Sequence, residues 1–264
     1  MVPFRRKSSL GHRVVRRGRE LRHAAPQLDI PWARSAIAGV VRAGVLRFVL
    51  RPLMNLYTRR RATGRDKLSR VKGPVILVAN HTSHIDTPVI LAALPRRLRK
   101  RTAVAAAADY FYRNKLLASA VSLIFNTVPI ERKGGGLGKQ AAGHLDRLLD
   151  EGWSLLVYPE GTRRGSGPGR ARKGAAVLAN RHHLPVVPIR VTGTRAVMPP
   201  GRAWPKRLRG KVVSKRHRVQ VAFGEPITEL DDAGDVIERV QRFFEQDDNG
   251  DGAGSVRRRL TLSR

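Results

Sequence analysis

The sequence of 264 residues contains no cysteine. Disulfides, thiolate zinc sites and cysteine nucleophiles are therefore excluded from its chemistry. Aromatic residues make up only 5% of the chain, which argues against single-stranded nucleic acid, because proteins that bind it usually stack bases on aromatic rings. Acidic residues are also scarce: 20 Asp and Glu stand against 52 Lys and Arg, a net charge of +32. This charge favours polyanionic partners, namely nucleic acid, an anionic membrane surface or a phosphate-bearing substrate.

The chain also lacks a long uninterrupted apolar run. Residues 31–57 are largely apolar, but four arginines interrupt them, and a membrane-spanning helix needs about 20 apolar residues in succession. At about 100° per residue, one helical face of this stretch carries Ile37, Val41, Val45, Phe48 and Leu56. The pattern predicts either a membrane-surface helix with snorkelling arginines or a helix packed on the core, and it fits both equally.

Between its two ends the chain alternates short apolar strands with helical patterns. Residues 1–30 are basic and lack the apolar core of a signal peptide, so we expect a disordered arm there, and polar residues 247–264 predict a disordered tail. The alternation predicts one α/β domain over 59–246 around a largely buried sheet. Predicted strands are 75–79, 103–107, 127–130, 154–158, 186–191 and 218–223, and predicted helices are 86–95, 111–124, 137–150, 172–182 and 232–245.

The stretch NHTSHID directly follows the first of these strands. As a metal site it offers two histidines and Asp86, although the chain supplies no second cluster with ligand spacing. As a helix start it offers Asn80, Thr82 or Ser83 as caps. As half of a catalytic triad it offers His81 as base and Asp86, about one helical turn away, as the carboxylate that orients it. The residues alone leave all three interpretations open.

Polar and basic residues follow two further strands. YPEGTRRGSG (158–167) places Glu, Gly, Thr and two arginines in a Gly-rich loop suited to phosphate oxygens, although a simple turn would have the same composition. NTVPIERKGGG (126–136) places Arg132 and Lys133 in a glycine turn. Because α/β sheets bind ligands at the carboxyl ends of their strands, these segments and NHTSHID predict one site. The chain has no obvious side-chain nucleophile, so a base there would activate a hydroxyl of the substrate.

These ordered blocks resemble those of the glycerolipid acyltransferases, the family of the bacterial 1-acylglycerol-3-phosphate acyltransferases. NHTSHID resembles the family's H-x-x-x-x-D block, NTVPIERK the second block, YPEGTRR the third and LPVVPIRVTG the fourth, so that the resemblance covers residues 60–225. Three positions depart from the family pattern. Asn126 stands where Gly is usual, Tyr158 where Phe is usual and Arg164 where Ser is usual. Asn126 is the departure that we expect to alter substrate choice, whereas Tyr158 is a mild change.

The resemblance implies a fold and a set of residue roles. The fold is a single glycerol-3-phosphate acyltransferase-like domain with a mixed, largely buried sheet flanked by helices, preceded by an interfacial helical segment over 31–58, the N-terminal segment. His81 is implied to be the general base, Asp86 to fix and support its imidazole, and backbone amides near this turn to stabilise the oxyanion. The acceptor phosphate is assigned to Arg132, Arg163 and Lys173, and the shape of the acceptor pocket to Glu160, Gly161 and Thr162.

The implied reaction moves a fatty acyl group from acyl-CoA or acyl-ACP to the sn-2 hydroxyl of 1-acyl-glycerol-3-phosphate (lysophosphatidic acid). It makes phosphatidic acid in phospholipid biosynthesis, with no acyl-enzyme, metal or cofactor. We therefore expect the protein on the cytoplasmic face of the cell membrane, with an anionic membrane surface and no nucleic acid as partner.

Two alternatives to this reaction stay open. One is a different acceptor: glycerol-3-phosphate, another lysophospholipid or a glycolipid. The other is a non-catalytic basic module that binds nucleic acid or membrane. Asp86 and Glu160 argue against the second alternative, because binding an anion requires no carboxylate.

Overall fold

A mixed sheet of seven strands forms the centre of the computed structural model, which describes residues 29–107, 115–130, 139–160, 171–199, 201–202, 204–206 and 216–246. The spatial order within these residues is β1-β7-β6-β2-β5-β3-β4. The strands are β1 (Thr58–Thr63), β2 (Ile76–Ala79), β3 (Thr102–Ala107), β4 (Thr127–Ile130), β5 (Ser154–Val157), β6 (Val186–Thr192) and β7 (His217–Phe223). Each of the six strands predicted from the sequence is present, within one residue of its predicted bounds.

The five neighbouring strands from β6 to β4 run parallel, whereas β7 is antiparallel to β6 and parallel to β1. All four residues of β2 are buried, as expected for a central parallel strand covered on both faces. Because β2 and β5 are parallel neighbours, their carboxyl ends lie side by side. The segments that follow these two strands, NHTSHID and YPEGTRR, therefore start at the same edge of the sheet.

Helices cover both faces of the sheet, and each face has its own apolar cluster. The helices are α1 (Ala36–Gly44), α2 (Arg51–Tyr57), α3 (Asp86–Ala93), α4 (Arg96–Lys100), α5 (Lys115–Phe125), α6 (Lys139–Asp150), α7 (Gly174–Arg181), α8 (Thr194–Val197) and α9 (Ala233–Glu245). One cluster receives side chains from α6, α7 and α9, and the other from α2 and α3. A π-helical stretch, Val45–Leu50, joins α1 to α2. The predicted α/β fold with a mixed, largely buried sheet is confirmed.

The five predicted helices correspond to α3, α5, α6, α7 and α9, although residues 111–114 and 137–138 of two of them lie outside the described residues. The predicted arm over 1–30 also lies outside them, apart from residues 29 and 30. The predicted tail over 247–264 lies outside them entirely.

Strand β1 is an element that the sequence pattern did not predict. Its sequence, TRRRAT, is typical of a basic connector, yet it pairs with β7 along its whole length. Most of its side chains after Thr58 are exposed, so the alternation of apolar and polar residues that marks a half-buried strand is missing. It lies at the edge of the sheet, where exposed cationic side chains hinder pairing with another chain. The predicted boundary between residues 58 and 59 therefore falls inside a strand.

The N-terminal segment packs on the domain through a buried arginine. Arg42 on α1 is only 6% exposed, and its guanidinium donates to the backbone carbonyls of Ala33, Ser122 and Leu123. The last two carbonyls belong to the final turn of α5, where the helix dipole favours a positive charge. Burial lowers the pKa of Arg42 to about 10. The prediction that the arginines of this segment snorkel to the surface is therefore wrong for Arg42.

A second polar contact anchors the start of this segment. The Asp29 carboxylate accepts a hydrogen bond from Arg34 and lies 3.5 Å from Nε2 of His144 on α6. Burial alone would raise the pKa of Asp29, but its contacts with His144 and Arg34 outweigh burial and hold that pKa at about 2. The segment is thus tied to α6 as well as to α5.

Candidate active site

The site begins where β2 ends, and Asn80 fixes that end to β6. The Asn80 side chain takes over the pairing of the two strands: Nδ2 donates to the Val191 carbonyl at 2.9 Å, and Oδ1 accepts from the Val191 amide at 2.7 Å. A carboxamide reproduces the donor and acceptor of a peptide group. The following turn, from His81 to Ile85, therefore leaves the sheet at a fixed point.

The turn itself is held by Asp86, the first residue of α3. Its Oδ2 accepts from the backbone amides of Thr82 and Ser83, at 2.7 and 2.8 Å. The same oxygen lies 3.0 Å from Nδ1 of His81. A carboxylate oxygen can only accept hydrogen bonds, so the ring nitrogen that faces it, Nδ1, carries the proton. The amides of Thr82 and Ser83 are thereby occupied, and the expectation that amides of this turn stabilise an oxyanion is wrong for these two.

The contacts of Thr82 and Ser83 bear on the helix-cap interpretation of NHTSHID. The N-cap of α3 is Ile85, and no side chain caps the helix. The hydroxyls of Thr82 and Ser83 instead contact the α8 region: Thr82 Oγ1 lies 3.0 Å from Thr194 Oγ1, and Ser83 Oγ donates to the Met198 carbonyl at 2.8 Å. Ser83 Oγ also accepts a hydrogen bond from the Ile85 amide at 3.4 Å, so of the three candidate caps Ser83 contacts the backbone just before α3. These two hydroxyls join the turn from His81 to Ile85 to the α8 region.

The metal interpretation receives no support from the described residues. Among them, no group of three His, Asp or Glu side chains has a geometry that could hold a metal ion. His84 lies on the same turn and is half-buried.

The structure brings His81 and Asp86 together, as the predicted base-and-carboxylate pair requires, and their catalytic roles stay a prediction. Asp86 is fully buried, whereas the His81 side chain keeps 19% of its surface exposed. Within the described part of the chain, Nε2 of His81 has no hydrogen-bond partner. With Nδ1–H donated to Asp86, the Nε2 lone pair is left as the basic site of the ring. This arrangement is suited to removing a proton from a hydroxyl placed at the exposed edge of the imidazole.

Tyr158, the first residue after β5, covers the face of the imidazole. Its ring stacks on that of His81, with centroids 4.2 Å apart and planes inclined by 26°. Its hydroxyl lies 2.7 Å from Thr87 Oγ1 on α3. Burial, and then the charge of Asp86, raise the pKa of Tyr158 far above its usual value. The phenol therefore stays protonated at neutral pH and is no competitor of His81 as a base. Sequence reasoning treated Tyr158 as a mild change and did not consider Thr87.

Of the predicted substrate-binding residues, the structure describes Glu160 and Lys173. Glu160 is buried two residues beyond Tyr158, at the edge of the sheet where His81 also lies. Lys173 is exposed at the start of α7, and its ammonium lies beside the first turn of α9, 3.2 Å from where a Cβ on Gly234 would stand. The structure does not describe Arg132, Gly161, Thr162 or Arg163, so their roles stay predictions.

Asn126, the departure expected to alter substrate choice, is a buried turn residue. It follows α5 directly with a φ of 53°, in the left-handed region that Gly adopts freely and that Asn tolerates better than most residues. Its side chain is fully buried, and Nδ2 donates to the Thr102 carbonyl at 3.0 Å. Asn and Gly thus meet the same backbone requirement at this position, and a role of Asn126 in substrate choice has no support in its contacts.

Comparison with known proteins agrees with this geometry. A sequence profile of the family described as Acyltransferase matches residues 59–192. The probable 1-acyl-sn-glycerol-3-phosphate acyltransferase of Mycoplasma genitalium is 29% identical over 162 residues, which are 60% of this chain and 58% of that protein. The N-acylphosphatidylethanolamine synthase of Arabidopsis thaliana is 33% identical over 165 residues, 58% of this chain and 56% of that protein. This chain thus spans little more than half the length of both relatives.

A solved structure has the same fold. The 1-acyl-sn-glycerophosphate (LPA) acyltransferase PlsC from Thermotoga maritima superposes with a TM-score of 0.60 at 21% identity, over 89% of this chain and 85% of that one. At this identity the likeness establishes the fold alone. The profile match, in contrast, takes in just over half of the 264 residues and includes the His81–Asp86 pair, and it shows that this chain belongs to the Acyltransferase family.

Proposed function

We propose that the protein transfers a fatty acyl group from acyl-CoA or acyl-ACP to the sn-2 hydroxyl of 1-acyl-glycerol-3-phosphate. The observation that carries the proposal is the His81–Asp86 pair, with Nδ1 held at 3.0 Å and the Nε2 edge left open. The family match supports the reaction class, and the activity for which the Mycoplasma relative is named supports the acceptor. The product is phosphatidic acid, so the protein would serve phospholipid biosynthesis.

The pair supplies both proton transfers of the reaction. Nε2 of His81 takes the proton of the acceptor hydroxyl while the hydroxyl oxygen attacks the thioester carbonyl. The imidazolium formed in this step lies against the Asp86 carboxylate, which stabilises it. When the tetrahedral intermediate collapses, the C–S bond breaks and the imidazolium returns the proton to the leaving thiolate. The ester and the free thiol are the products, and His81 is neutral again.

The surroundings of His81 favour this direct transfer over an acyl-enzyme. The chain has no cysteine, and the nearest described hydroxyls are engaged elsewhere. Ser83 is buried and donates to the Met198 carbonyl, and Thr82 pairs with Thr194. A side-chain nucleophile would need a hydroxyl within hydrogen-bond reach of Nε2, and none of the described residues supplies one.

The acceptor phosphate would lie towards the β5 and β4 side of the site. β4 is three strand positions from β2, a separation of about 14 Å at the usual strand spacing. Arg132 and Arg163 follow β4 and β5 in sequence, and guanidinium groups bind phosphate oxygens bidentately. We assign them the phosphate, with Glu160, Gly161 and Thr162 shaping the pocket between. Lys173 is a third cation for the same phosphate, and its ammonium lies beside the first turn of α9.

A different acceptor is the second candidate, because one relative carries a different activity. The Arabidopsis protein named N-acylphosphatidylethanolamine synthase is as similar to this chain as the 1-acyl-sn-glycerol-3-phosphate acyltransferases are. The base-and-carboxylate pair would act in the same way on any hydroxyl or amine that reaches Nε2. The choice between acceptors therefore depends on the pocket and not on the pair.

A panel assay tests both candidates. Purified protein is incubated with lysophosphatidic acid, glycerol-3-phosphate, other lysophospholipids and phosphatidylethanolamine, each with acyl-CoA and with acyl-ACP, and products are identified by mass spectrometry. Lysophosphatidic acid should give phosphatidic acid, and His81→Ala should abolish product while the protein stays folded. Turnover of a different acceptor alone would replace the first candidate with the second. No product from any combination would refute acyl transfer.

We further propose that the protein binds the cytoplasmic face of the cell membrane through the N-terminal segment. Two apolar side chains of the segment face away from the domain, with Ile37 78% and Phe48 76% exposed, and exposed Arg47 and Arg51 lie among them. Further exposed apolar residues there are Trp32, Val40, Val41, Val49 and Leu56. Among the described residues, no helix combines the length and the apolar character that crossing a bilayer requires. An apolar face rimmed by cations is suited to an anionic leaflet.

Vesicle flotation tests this placement. The double variant Ile37→Asp, Phe48→Asp removes two large apolar side chains, each worth about 1.5–3 kcal/mol when buried, so binding to vesicles of anionic phospholipid should fall at least about 100-fold. Val177→Asp alters an exposed apolar residue on α7 and is the matched control. Equal flotation of the double variant and the wild type would reject the segment as the membrane contact.

A further inference from the structure

The contacts of Tyr158 extend beyond simple packing on His81. Its ring covers the imidazole face at 4.2 Å, and its hydroxyl reaches Thr87 Oγ1 at 2.7 Å. Asp86, which contacts the edge of the imidazole, and Thr87, which contacts the Tyr158 hydroxyl, are consecutive residues of α3. His81, Asp86, Thr87 and Tyr158 therefore form a closed ring of contacts around the base.

One hydrogen bond is not enough to fix a general base. The bond from Nδ1 to Asp86 fixes one ring atom, but χ2 of a histidine is a soft torsion, and the ring can still tilt about that bond. A tilt moves Nε2, which is the atom that must meet the acceptor hydroxyl. A stacked ring 4.2 Å away blocks the tilt on one side.

The covering ring needs an anchor of its own for the same reason. χ2 of a tyrosine is soft as well, and phenylalanine, the usual residue of the family at this position, could be held by packing alone. In this chain the phenol hydroxyl and the Thr87 hydroxyl share a hydrogen bond. Because Tyr158 lies at the end of β5 and Thr87 on α3, this bond also joins the third sequence block to the first.

We propose that Tyr158 is a positioning residue, whose ring holds the His81 imidazole in its reactive orientation and whose hydroxyl is locked by Thr87. The proposal rests on the proposed function for its kinetic consequence. It is independent of that function for its structural consequence, the restrained imidazole. Tyr158 acts here through His81 and takes no proton itself.

A set of five variants separates the ring from the hydroxyl. Tyr158→Leu removes both, whereas Tyr158→Phe and Thr87→Val each remove only the hydrogen bond. The double variant Tyr158→Phe, Thr87→Val removes that same single hydrogen bond. Thr87→Ser keeps the bond and is the matched control. We expect kcat to fall about 10- to 100-fold for Tyr158→Leu, the order of loss that a misplaced catalytic group causes. For Tyr158→Phe and for Thr87→Val we expect about 3- to 10-fold each.

Comparison of kcat and KM among the five variants tests the proposal. The double variant should be no slower than the slower single variant, because groups that share one bond are not additive. KM for the acceptor should stay within about twofold, because a positioning role acts on the chemical step. Effects that multiply in the double variant, or a raised KM with unchanged kcat, would overturn the proposal. All five variants are compared at equal folded fraction, measured by thermal denaturation.

A spectroscopic readout keeps the proposal testable apart from turnover. Protons of an imidazole stacked under a phenol ring are shifted upfield by the ring current. In wild-type protein with labelled histidines, the His81 signals, assigned by their loss in His81→Ala, should show this shift and lose it in Tyr158→Leu. Upfield-shifted signals in a protein without turnover would support the positioning role while the proposed function fails. Unshifted signals, or wild-type kinetics in Tyr158→Phe and Thr87→Val, would overturn the positioning role in an active enzyme.

Discussion

Replacing Asp86 with Asn changes the charge of the proposed catalytic pair and little of its shape. The amide oxygen can take the place of Oδ2 and keep all three donors, from His81 Nδ1 and from the amides of Thr82 and Ser83. The amide nitrogen then takes the place of Oδ1. That atom is buried and has no hydrogen-bond partner among the described residues. The substitution therefore separates the electrostatic role of Asp86 from its role in holding the turn.

The magnitude follows from the geometry of the ion pair that forms during transfer. With Nδ1 and Oδ2 3.0 Å apart, the charge centres of imidazolium and carboxylate are about 4 Å apart, which is worth about 4 kcal/mol at an effective dielectric constant of about 20. The amide oxygen retains part of this as a dipole. We therefore expect kcat of Asp86→Asn to fall by about 10² to 10³, with KM for the acceptor nearly unchanged.

Stability should change less than activity. An amide NH₂ at the position of Oδ1 is a buried donor without an acceptor among the described residues, and such a group costs about 1–3 kcal/mol. Denaturant unfolding gives this cost directly, and initial rates at equal folded fraction give kcat. The double variant His81→Ala, Asp86→Asn should be no slower than His81→Ala, because the carboxylate acts only through the imidazole. A fall of less than about tenfold in folded Asp86→Asn would refute the electrostatic role.

Three further predictions concern the fold around the site. Asn126→Gly should keep the acceptor preference of the wild type in the product panel, and a changed acceptor ratio would contradict the turn role. Asn126→Ala, forced to a φ of 53°, should lose about 1–2 kcal/mol of unfolding free energy. Arg42→Met leaves three backbone carbonyls without their donor and should cost about 1–3 kcal/mol in denaturant unfolding, with the exposed Arg47→Met near zero as control. The folded pKa of Asp29 is about 2, because its contacts with His144 and Arg34 outweigh the effect of burial. Ionisation of Asp29 therefore stabilises the fold above the unfolded pKa of about 4. The difference in stability between wild type and Asp29→Asn should therefore shrink as pH falls from about 4 to 2, and a difference that is flat across this range would contradict it.

The apolar strands were predictable because their burial is written directly into the sequence. VILVA and SLLVY are continuous apolar runs, and runs of this length between turn signals indicate strands covered on both faces. β1 was not predictable in this way. Its stability comes from backbone pairing with β7, which leaves no trace in the side chains of an exposed edge strand.

At the site, the sequence was informative for contacts between near neighbours and silent on contacts across the fold. His81 and Asp86 are five residues apart, and their distance follows from the turn between them. Thr87 and Tyr158 are 71 residues apart, and Thr82 and Thr194 are 112 apart, so their meeting depends on the order of strands in the sheet. For Asn126 the departure from the family pattern suggested substrate choice, whereas its left-handed φ of 53° gives the backbone reason for Asn or Gly at this position.

The buried guanidinium of Arg42 reverses the usual polarity of a surface helix. Its charged group points inward and is satisfied by carbonyl groups, while the large apolar side chains Ile37 and Phe48 point outward. In aqueous buffer the N-terminal segment therefore exposes large apolar side chains, while hydrogen bonds from Arg42 attach it to α5. Purification without detergent should consequently yield self-associated particles, and polar replacements at Ile37 and Phe48 should disperse them without unfolding the protein. Solubility would thus depend on Ile37 and Phe48, and attachment of the segment to the domain on Arg42.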